Sequence, residues 1–186
     1  MSIGLDTSAV TASSTYVDVG CETLNSKKIC NYDGVARGTI PMQQVLNQSL
    51  NLGAAHVALT VGGKKFSEYM KNFGVGTETG IDLPNEGVGL ISNLDTGRDI
   101  ETATAAYGQG VAFTPIATVR ALSAIANGGT LITPHIVKRI DYQTGLSKKV
   151  PAGGCQKKPR LIWPPLPHFA TVGYIVNWRQ YPLFVN

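Results

Sequence analysis

The sequence predicts a single domain that mixes α-helices with β-strands, because both periodicities occur along one chain of 186 residues. Residues 16–32 resemble two short strands joined by a turn at Asn25 and Ser26. Residues 50–61 form an apolar run of helical length, and residues 116–126 carry apolar side chains at helical spacing. A chain of this length can bury one hydrophobic core of ordinary size.

The predicted hairpin brings two of the three cysteines opposite each other. If Asn25 and Ser26 form the turn, Cys21 faces Cys30 in a non-hydrogen-bonded pair, where side chains of neighbouring strands lie closest. A disulfide could form there in an oxidising compartment, and two free thiols are the alternative. We favour free thiols, because the register depends on the turn assignment alone.

The residues after the hairpin predict a short helix that ends at Ser49. Thr39 can cap the start of this helix, and Pro41 is tolerated in the first turn. The side of the helix that we expect to be buried consists of Met42, Val45 and Leu46.

Two further helices are predicted to follow directly. The first covers residues 50–61, and its small side chains permit close packing against other elements: Gly53, Ala54, Ala55 and Ala58. The second covers residues 64–73 and is amphipathic, with apolar side chains at i, i+4 and i+7: Phe66, Met70 and Phe73.

Another helix and a strand region are predicted towards residue 150. Thr114 is a typical N-cap, and Pro115 suits the first helical position. The apolar stripe of this helix consists of Ile116, Val119, Leu122 and Ile125 or Ala126. Residues 130–141 predict one or two strands, interrupted at Pro134 and followed by a turn at 142–145.

The composition changes abruptly after residue 150. Residues 1–150 hold all 12 acidic residues and 12 of the 16 lysines and arginines, so the net charge of +4 comes entirely from residues 151–186. The basic side chains form no stripe, and we therefore expect no nucleic-acid binding. Residues 151–186 are rich in proline and aromatic residues, which suits a Pro-rich binding tail or a stretch translated from a shifted reading frame. The loss of every Asp and Glu leads us to favour the shifted frame.

Ser49 and Asn51 lie where the short helix meets the apolar one. The simplest interpretation is that one of them caps the second helix, because Ser and Asn are common N-cap residues. The alternative is a catalytic role. The turn between them is fixed at both ends, and the apolar helix behind it supplies the rigidity that a preorganised site requires.

Three blocks of the sequence, in the expected order and spacing, resemble the transpeptidase domain of class B penicillin-binding proteins. They are QQVLNQSLNLGAAHVAL, FGVGTETGIDLPNEGVG and AAYGQGVAFTPIATVRALSAIANGGTLITPHIVKRI. The resemblance extends from about residue 3 to about residue 148, so we assign residues 1–150 to a partial transpeptidase domain. It implies the fold of serine β-lactamases and D,D-peptidases, an α/β fold of the α+β type with helices packed on a mainly antiparallel sheet.

The resemblance also implies a reaction and its partners. In this family a serine attacks the D-Ala-D-Ala bond of a peptidoglycan stem peptide, and a second peptide strand takes up the acyl group. β-Lactams acylate the same serine. The motifs that serve this reaction are S-x-x-K, S-x-N and K-T-G, and Ser49 and Asn51 match the second. The resemblance implies that the serine helps to pass a proton to the leaving amine, and that the side-chain amide of the asparagine donates a hydrogen bond to the substrate backbone. The resemblance implies no cofactor or metal.

Two of the three motifs are absent from the sequence. No serine is followed by lysine at the third position, and the string nearest to K-T-G is Gln143-Thr144-Gly145. In the family the nucleophile precedes the region that resembles residues 3–8, so we expect an internal fragment that forms no acyl-enzyme by itself. The sheet of such a fragment would be incomplete, and the apolar face of Ile116, Val119 and Leu122 would lack partners.

Three hypotheses remain open at this point. The leading one is a piece of a peptidoglycan D,D-transpeptidase whose parent protein is anchored to the cytoplasmic membrane and faces outward. The second is a non-catalytic binding protein on the same scaffold, which would use its aromatic tail for a partner. The third is a fragment related to β-lactamases, which the blocks at 80–89 and 107–129 make the weaker alternative.

Overall fold

The computed structural model describes residues 1–150, and the predicted tail at 151–186 lies outside the described residues. The division of the chain at residue 150 therefore stays a prediction. In chain order the elements are α1 (Ser2–Asp6), β1 (Thr15–Asp18), β2 (Cys21–Leu24), β3 (Lys27–Cys30), β4 (Gly38–Pro41), α2 (Met42–Asn47), α3 (Asn51–Val61), α4 (Gly63–Asn72), a 3₁₀ helix (Ser92–Asp95), α5 (Asp99–Ala105), α6 (Pro115–Ala126), β5 (Arg139–Asp141) and β6 (Ser147–Lys149).

The strands of the described chain form three separate antiparallel pairs, β1–β4, β2–β3 and β5–β6. The predicted class, helices together with antiparallel strands, is confirmed. The predicted hairpin at 16–32 is too long, because Tyr16 pairs with Ile40 of β4 and not with the second strand of the hairpin. Gly20 adopts a φ of 76°, which breaks the extended chain between β1 and β2.

The hairpin β2–β3 has the predicted register, but its cysteines are not free. Asn25 and Ser26 have φ angles of 46° and 62°, as a two-residue type I′ turn requires. Cys21 pairs with Cys30, their Cα atoms lie 4.1 Å apart and their sulfur atoms are bonded. The interpretation as free thiols is wrong, because this non-hydrogen-bonded pair brings the two side chains close enough to bond.

Helix α2 differs from its prediction at both ends. Thr39 does not cap it, because residues 38–41 form β4; the N-cap is Pro41, which makes no side-chain hydrogen bond. Met42 and Val45 are buried as predicted, but the side chain of Leu46 is 45% exposed. The expectation for Leu46 is wrong because the buried face of this short helix runs through Met42 and Val45.

Helix α3 is the centre of the described core. It contacts α1, α2, α4 and α5 and also β1 and β3. Its buried side chains enter three apolar clusters: Val57 with Met42 and Val45, Leu52 and Ala55 with Ile29 and Ile100, and Ala58 with Phe66 and Phe73. Burial on most sides explains why the sequence of α3 is an apolar run without an amphipathic stripe.

Helix α6 begins as predicted but exposes its apolar stripe. The Thr114 hydroxyl accepts a hydrogen bond from the backbone N–H of Ala117, which confirms the N-cap. The stripe itself leaves Val119 59% and Leu122 61% exposed, whereas the opposite face, with Arg120, is buried. Within residues 1–150, Val119 and Leu122 are thus largely uncovered, as expected for this apolar face.

Two regions near the end of the described chain depend on distant contacts. Helix α5 was not predicted; its Thr-rich sequence has low helix propensity, and the Asn25 side chain accepts a hydrogen bond from the N–H of Ile100 in its first turn. Of residues 130–141, only Arg139–Asp141 form a strand. The N–H groups of Ile136 and Val137 instead donate to the carboxylate of Asp82, 2.8 Å away in both cases.

None of the helices within residues 1–150 combines the length and apolar character that crossing a bilayer requires.

Candidate functional site

Ser49 occupies a strained and exposed position between α2 and α3. Its φ is 53°, in the left-handed region that non-glycine residues rarely adopt. Such a conformation costs about 1 to 2 kcal/mol relative to the right-handed one. The next residue, Leu50, is only 2% exposed and packs into the core, so the chain is held immediately behind the serine.

The conformation of Ser49 comes from the way in which α2 ends. The N–H of Leu50 donates to the carbonyl of Val45 at 2.9 Å, and the N–H of Ser49 donates to the carbonyl of Leu46 at 3.3 Å. This pair of bonds is the Schellman motif, in which glycine usually occupies the position of Ser49. The interpretation of Ser49 as an N-cap of α3 is therefore wrong: Leu50 is the N-cap and makes no side-chain capping bond.

Ser8 shows that this backbone conformation alone does not indicate catalysis. It has a φ of 57°, follows α1 in the same motif and is also exposed. What distinguishes Ser49 is its neighbour Asn51, which is the first residue of α3.

The Asn51 side chain is half-buried and fixed by the disulfide-linked hairpin. Its Nδ2 group donates a hydrogen bond of 2.9 Å to the carbonyl oxygen of Cys30. This bond fixes which end of the amide faces the hairpin. Within residues 1–150 the Oδ1 atom of Asn51 and the hydroxyl of Ser49 accept or donate no further hydrogen bond, so both remain available to a ligand.

A buried polar pair, which sequence reasoning missed, lies directly behind the turn. The Asn31 amide donates from Nδ2 to both carboxylate oxygens of Asp18, at 2.8 and 3.0 Å. Its Oδ1 atom accepts from the N–H of Leu52 at 3.1 Å. Both side chains of the pair are buried. No local pattern could have found them, because these contacts join residues 13 and 21 positions apart.

A second tether reaches the residue before Ser49. The Nε group of Arg37 donates to Oε1 of Gln48 at 3.0 Å, and the guanidinium also binds both carboxylate oxygens of Asp33. The hydrogen bonds from Arg37, and then that from the N–H of Val35, hold the pKa of Asp33 well below its usual range. Asp33 therefore stays ionised at neutral pH and keeps Arg37 in place.

The two candidate residues are neutral hydrogen-bonding groups. A serine hydroxyl can donate and accept at once, so it can pass on a proton, and an asparagine amide can bind a peptide group without adding charge. Neither is a strong nucleophile by itself, so a covalent reaction needs an activated group from elsewhere. Residues 1–150 contain no cluster of three His, Cys, Asp or Glu side chains that could hold a metal ion.

Two further features lie outside the turn that carries Ser49 and Asn51: the stacked rings of His56 and Tyr16, and the YGQG stretch at 107–110. His56 is exposed and stacks on the ring of Tyr16 at a centroid distance of 5.4 Å, where α3 meets β1 at the protein surface. Burial, together with the nearby carboxylate of Asp18, raises the pKa of Tyr16 to about 12, so this phenol stays protonated at neutral pH. In the YGQG stretch, the carbonyl of Gly110 accepts a hydrogen bond of 2.8 Å from Nδ2 of Asn93, which ties this stretch to the 3₁₀ helix.

An apolar hollow of about 290 Å³ lies away from the turn that carries Ser49 and Asn51. Its walls come from the start of α1 and from α4, α5 and α6, including Phe66, Phe73 and Leu122. None of its lining residues belongs to α2 or α3, so it is not part of the candidate site.

Comparison with known proteins gives a consistent result. A family profile described as the penicillin binding protein transpeptidase domain matches residues 1–160. Stage V sporulation protein D of Bacillus subtilis (strain 168) is 46% identical over 95 residues, which are 51% of this chain and 15% of that protein. A protein of Mesostigma viride named peptidoglycan D,D-transpeptidase FtsI homolog is 26% identical over 148 residues, 74% of this chain and 25% of that protein.

A solved structure supports the same fold. Penicillin binding protein 3 of Mycobacterium tuberculosis in complex with aztreonam superimposes with a TM-score of 0.71 at 23% identity, covering 82% of this chain and 34% of that one. The chain thus spans a quarter or less of the length of the two curated relatives and about a third of this solved structure.

Proposed function

Because the chain belongs to the penicillin-binding-protein transpeptidase family, we propose that Ser49 and Asn51 are the second motif of a peptidoglycan D,D-transpeptidase active site. The observation that carries the proposal is the state of the two side chains. Ser49 is exposed on a fixed backbone, and the Asn51 amide is oriented by the carbonyl of Cys30 while its Oδ1 atom stays available. A preorganised pair of this kind suits a substrate that must be held while its bonds change.

The proposed roles are auxiliary. An activated serine outside this chain's sequence attacks the carbonyl carbon between the two D-alanines, and the terminal D-alanine leaves as an amine that must gain a proton. The Ser49 hydroxyl passes that proton on and regains one, so it is unchanged overall. The Asn51 amide binds the backbone of the stem peptide and keeps the reacting bond in place. The same contacts would hold a β-lactam, as a mimic of that peptide.

The chain alone should form no acyl-enzyme, since the sequence contains neither S-x-x-K nor K-T-G. Incubation with a fluorescent penicillin followed by denaturing electrophoresis tests this directly. A labelled band at the mass of the chain, 19.7 kDa, would contradict the assignment of the nucleophile to another part of the protein.

The site residues can be tested in a hybrid enzyme. Residues 1–150 replace the matching part of a complete transpeptidase of the family, and the rate of acylation by penicillin is measured. Ser49→Ala should lower the rate by about 10²-fold or more, as expected for loss of a proton-transfer group. Ser8→Ala is the matched control, because it removes a hydroxyl from the same conformation outside the site and should leave the rate unchanged.

Asn51→Ala has a matched control of its own. Asn47 is an exposed asparagine of α2 whose side-chain oxygen accepts one hydrogen bond, from Nε2 of Gln43. We expect Asn51→Ala to lower the rate at which penicillin acylates the hybrid enzyme, and Asn47→Ala to leave that rate unchanged. If neither Ser49→Ala nor Asn51→Ala slows acylation, the catalytic assignment fails and a non-catalytic binding role becomes the better hypothesis.

We also propose that the parent protein works at the outer face of the cytoplasmic membrane, where peptidoglycan is cross-linked. The disulfide between Cys21 and Cys30 supports this location, because such bonds persist in oxidising compartments outside the cytoplasm. Thiol labelling of the protein in intact cells, with and without prior reduction, would measure whether the bond is present there.

A further inference from the structure

We propose that Asn31, held by Asp18, is the positioning residue of the turn formed by Ser49, Leu50 and Asn51. This inference rests on the proposed function of that turn, and it assigns the geometry of the turn to a pair of residues far away in sequence. Asn31 touches none of the reacting groups; it acts through the N–H of Leu52, the residue that follows Asn51.

Two adjacent residues of the hairpin bind two adjacent residues of α3. The carbonyl of Cys30 accepts from the Asn51 side chain at 2.9 Å, and the side chain of Asn31 accepts from the N–H of Leu52 at 3.1 Å. Leu50 and Leu52 are buried in the core, and the two hydrogen bonds act in addition to that packing. The two together fix both the backbone entering α3 and the direction of the Asn51 amide.

The carboxylate of Asp18 decides which way the Asn31 amide points. In the observed orientation both contacts pair a donor with an acceptor: Nδ2 of Asn31 with Asp18, and Oδ1 of Asn31 with the N–H of Leu52. A flipped amide would set its oxygen against the carboxylate and its NH₂ group against the N–H of Leu52, so both contacts would become repulsive. Asp18 is itself fixed by the N–H of Gly20, and both members of the pair are buried, so neither can exchange its partner for water.

A purely structural role is the competing explanation, because Asn31 also satisfies a first-turn N–H of α3 that would otherwise have no partner. The two explanations differ in what changes when the pair is broken. A lost structural contact lowers the stability of the whole domain. A lost positioning contact changes the turn while the rest of α3 stays intact.

The test uses a substitution that can be rescued. Asn31→Asp keeps an oxygen for the N–H of Leu52 but cannot donate to Asp18 and sets two carboxylates together. Combining it with Asp18→Asn restores a donor–acceptor pair of nearly the same shape. The full chain, labelled with ¹⁵N, is followed by NMR: the side-chain amide signal of Asn51 and the hydrogen exchange of the N–H groups of Leu52 and Ala58.

For Asn31→Asp we expect a shifted Asn51 side-chain signal and exchange at Leu52 that is about tenfold faster or more, with Ala58 unchanged. The double variant should return both readouts close to those of the unchanged chain. Equal acceleration at Leu52 and Ala58, or no rescue in the double variant, would overturn the proposal. If Asn31→Asp does not fold, Asp18→Asn alone is the milder test and should accelerate exchange at Leu52 less; no change there would equally overturn it.

The acylation rate of the hybrid transpeptidase, measured with the same variants, tests whether the geometry of the turn affects the reaction. Asn31→Asp should slow acylation by about tenfold or more, and the double variant should recover most of the rate. A different measurement shows whether the proposed function itself fails. If Ser49→Ala leaves the hybrid fully active, the catalytic role of the turn is wrong, whereas the NMR measurements still decide whether Asn31 positions it.

Discussion

Replacing Ser49 by glycine should make the chain more stable while removing the hydroxyl that the proposed reaction needs. The residue has a φ of 53° at a position of the Schellman motif that glycine usually occupies. Its side chain is exposed, so the substitution loses no packing. The backbone hydrogen bonds of Ser49 and Leu50 do not depend on the side chain and should persist.

The magnitude follows from two opposing contributions. An L-residue in the left-handed conformation costs about 1 to 2 kcal/mol, which glycine avoids. Glycine also gains freedom in the unfolded chain, which lowers the stability of the folded state by about 0.4 to 1 kcal/mol. The difference between the midpoints of these two ranges predicts that Ser49→Gly raises the free energy of unfolding by roughly 0.8 kcal/mol.

Urea unfolding followed by circular dichroism measures this difference, with Ser8→Gly as the control. Ser8 has a φ of 57° in the same motif and should show the same gain. In the hybrid enzyme only Ser49→Gly should lower acylation, because only Ser49 belongs to the proposed site. A loss of stability in Ser49→Gly would refute the conformational argument, and full activity of that hybrid would refute the proton-relay role.

Three further predictions concern the framework of the site. Gly53→Ala should lower the free energy of unfolding by about 1 to 2 kcal/mol, because its Cβ would lie 2.3 Å from Cγ2 of Val45 and the overpacking exceeds the gain in helix propensity. In a Val45→Ala background the same substitution should cost less, although the Cβ would still lie 2.8 Å from the hydroxyl oxygen of Tyr16, and a double-mutant cycle measures the difference. Replacing both Cys21 and Cys30 by serine should lower the free energy of unfolding by about 2.5 kcal/mol, the loop-closure value for so short a loop, and reduction of the unchanged chain should have the same effect in urea titrations. Hydrogen bonds from two backbone N–H groups lower the pKa of Asp82 below its ordinary value of 3.8, so the folded state favours the carboxylate. The carboxylate of Asp82 therefore stabilises the folded state above about pH 4, and this stabilisation is lost as the pH falls through the lowered pKa. Asp82→Asn should make the free energy of unfolding depend less on pH in the acid range. An unchanged dependence would show that the carboxylate contributes nothing.

Local patterns in the sequence predicted the elements that depend on neighbouring residues. The predicted two-residue turn at Asn25 and Ser26 and the predicted N-cap at Thr114 were correct, because the preferred residues act within their own turn. The prediction failed where a distant partner decides the outcome. Thr39 resembles a helix cap but lies in a strand that pairs with β1, and the Thr-rich α5 receives a hydrogen bond acceptor from Asn25 and packs against α3.

The apolar stripe of α6 shows a different limit of pattern reasoning. Helical spacing correctly predicted the helix, but spacing alone says nothing about which face the rest of the domain covers. Val119 and Leu122 lie on the stripe and are exposed, whereas the charged Arg120 is buried and donates to the carbonyl of Ile132 at 2.8 Å. The expectation of an uncovered face came from the family resemblance and from the absent motifs, not from the periodicity.

The way in which α3 is capped explains how its start can carry functional side chains. A polar residue at the N-cap normally uses its side chain to satisfy the first N–H groups of its helix. Here the N-cap is the buried Leu50, and the acceptor for the N–H of Leu52 comes from Asn31, the residue that follows β3. Ser49 and Asn51 are thereby released from capping, and Asn51 needs only one contact, to Cys30, to be held in place. The acceptor that the helix needs comes from Asn31, so the Ser49 hydroxyl and the Oδ1 atom of Asn51 remain available for the proposed substrate.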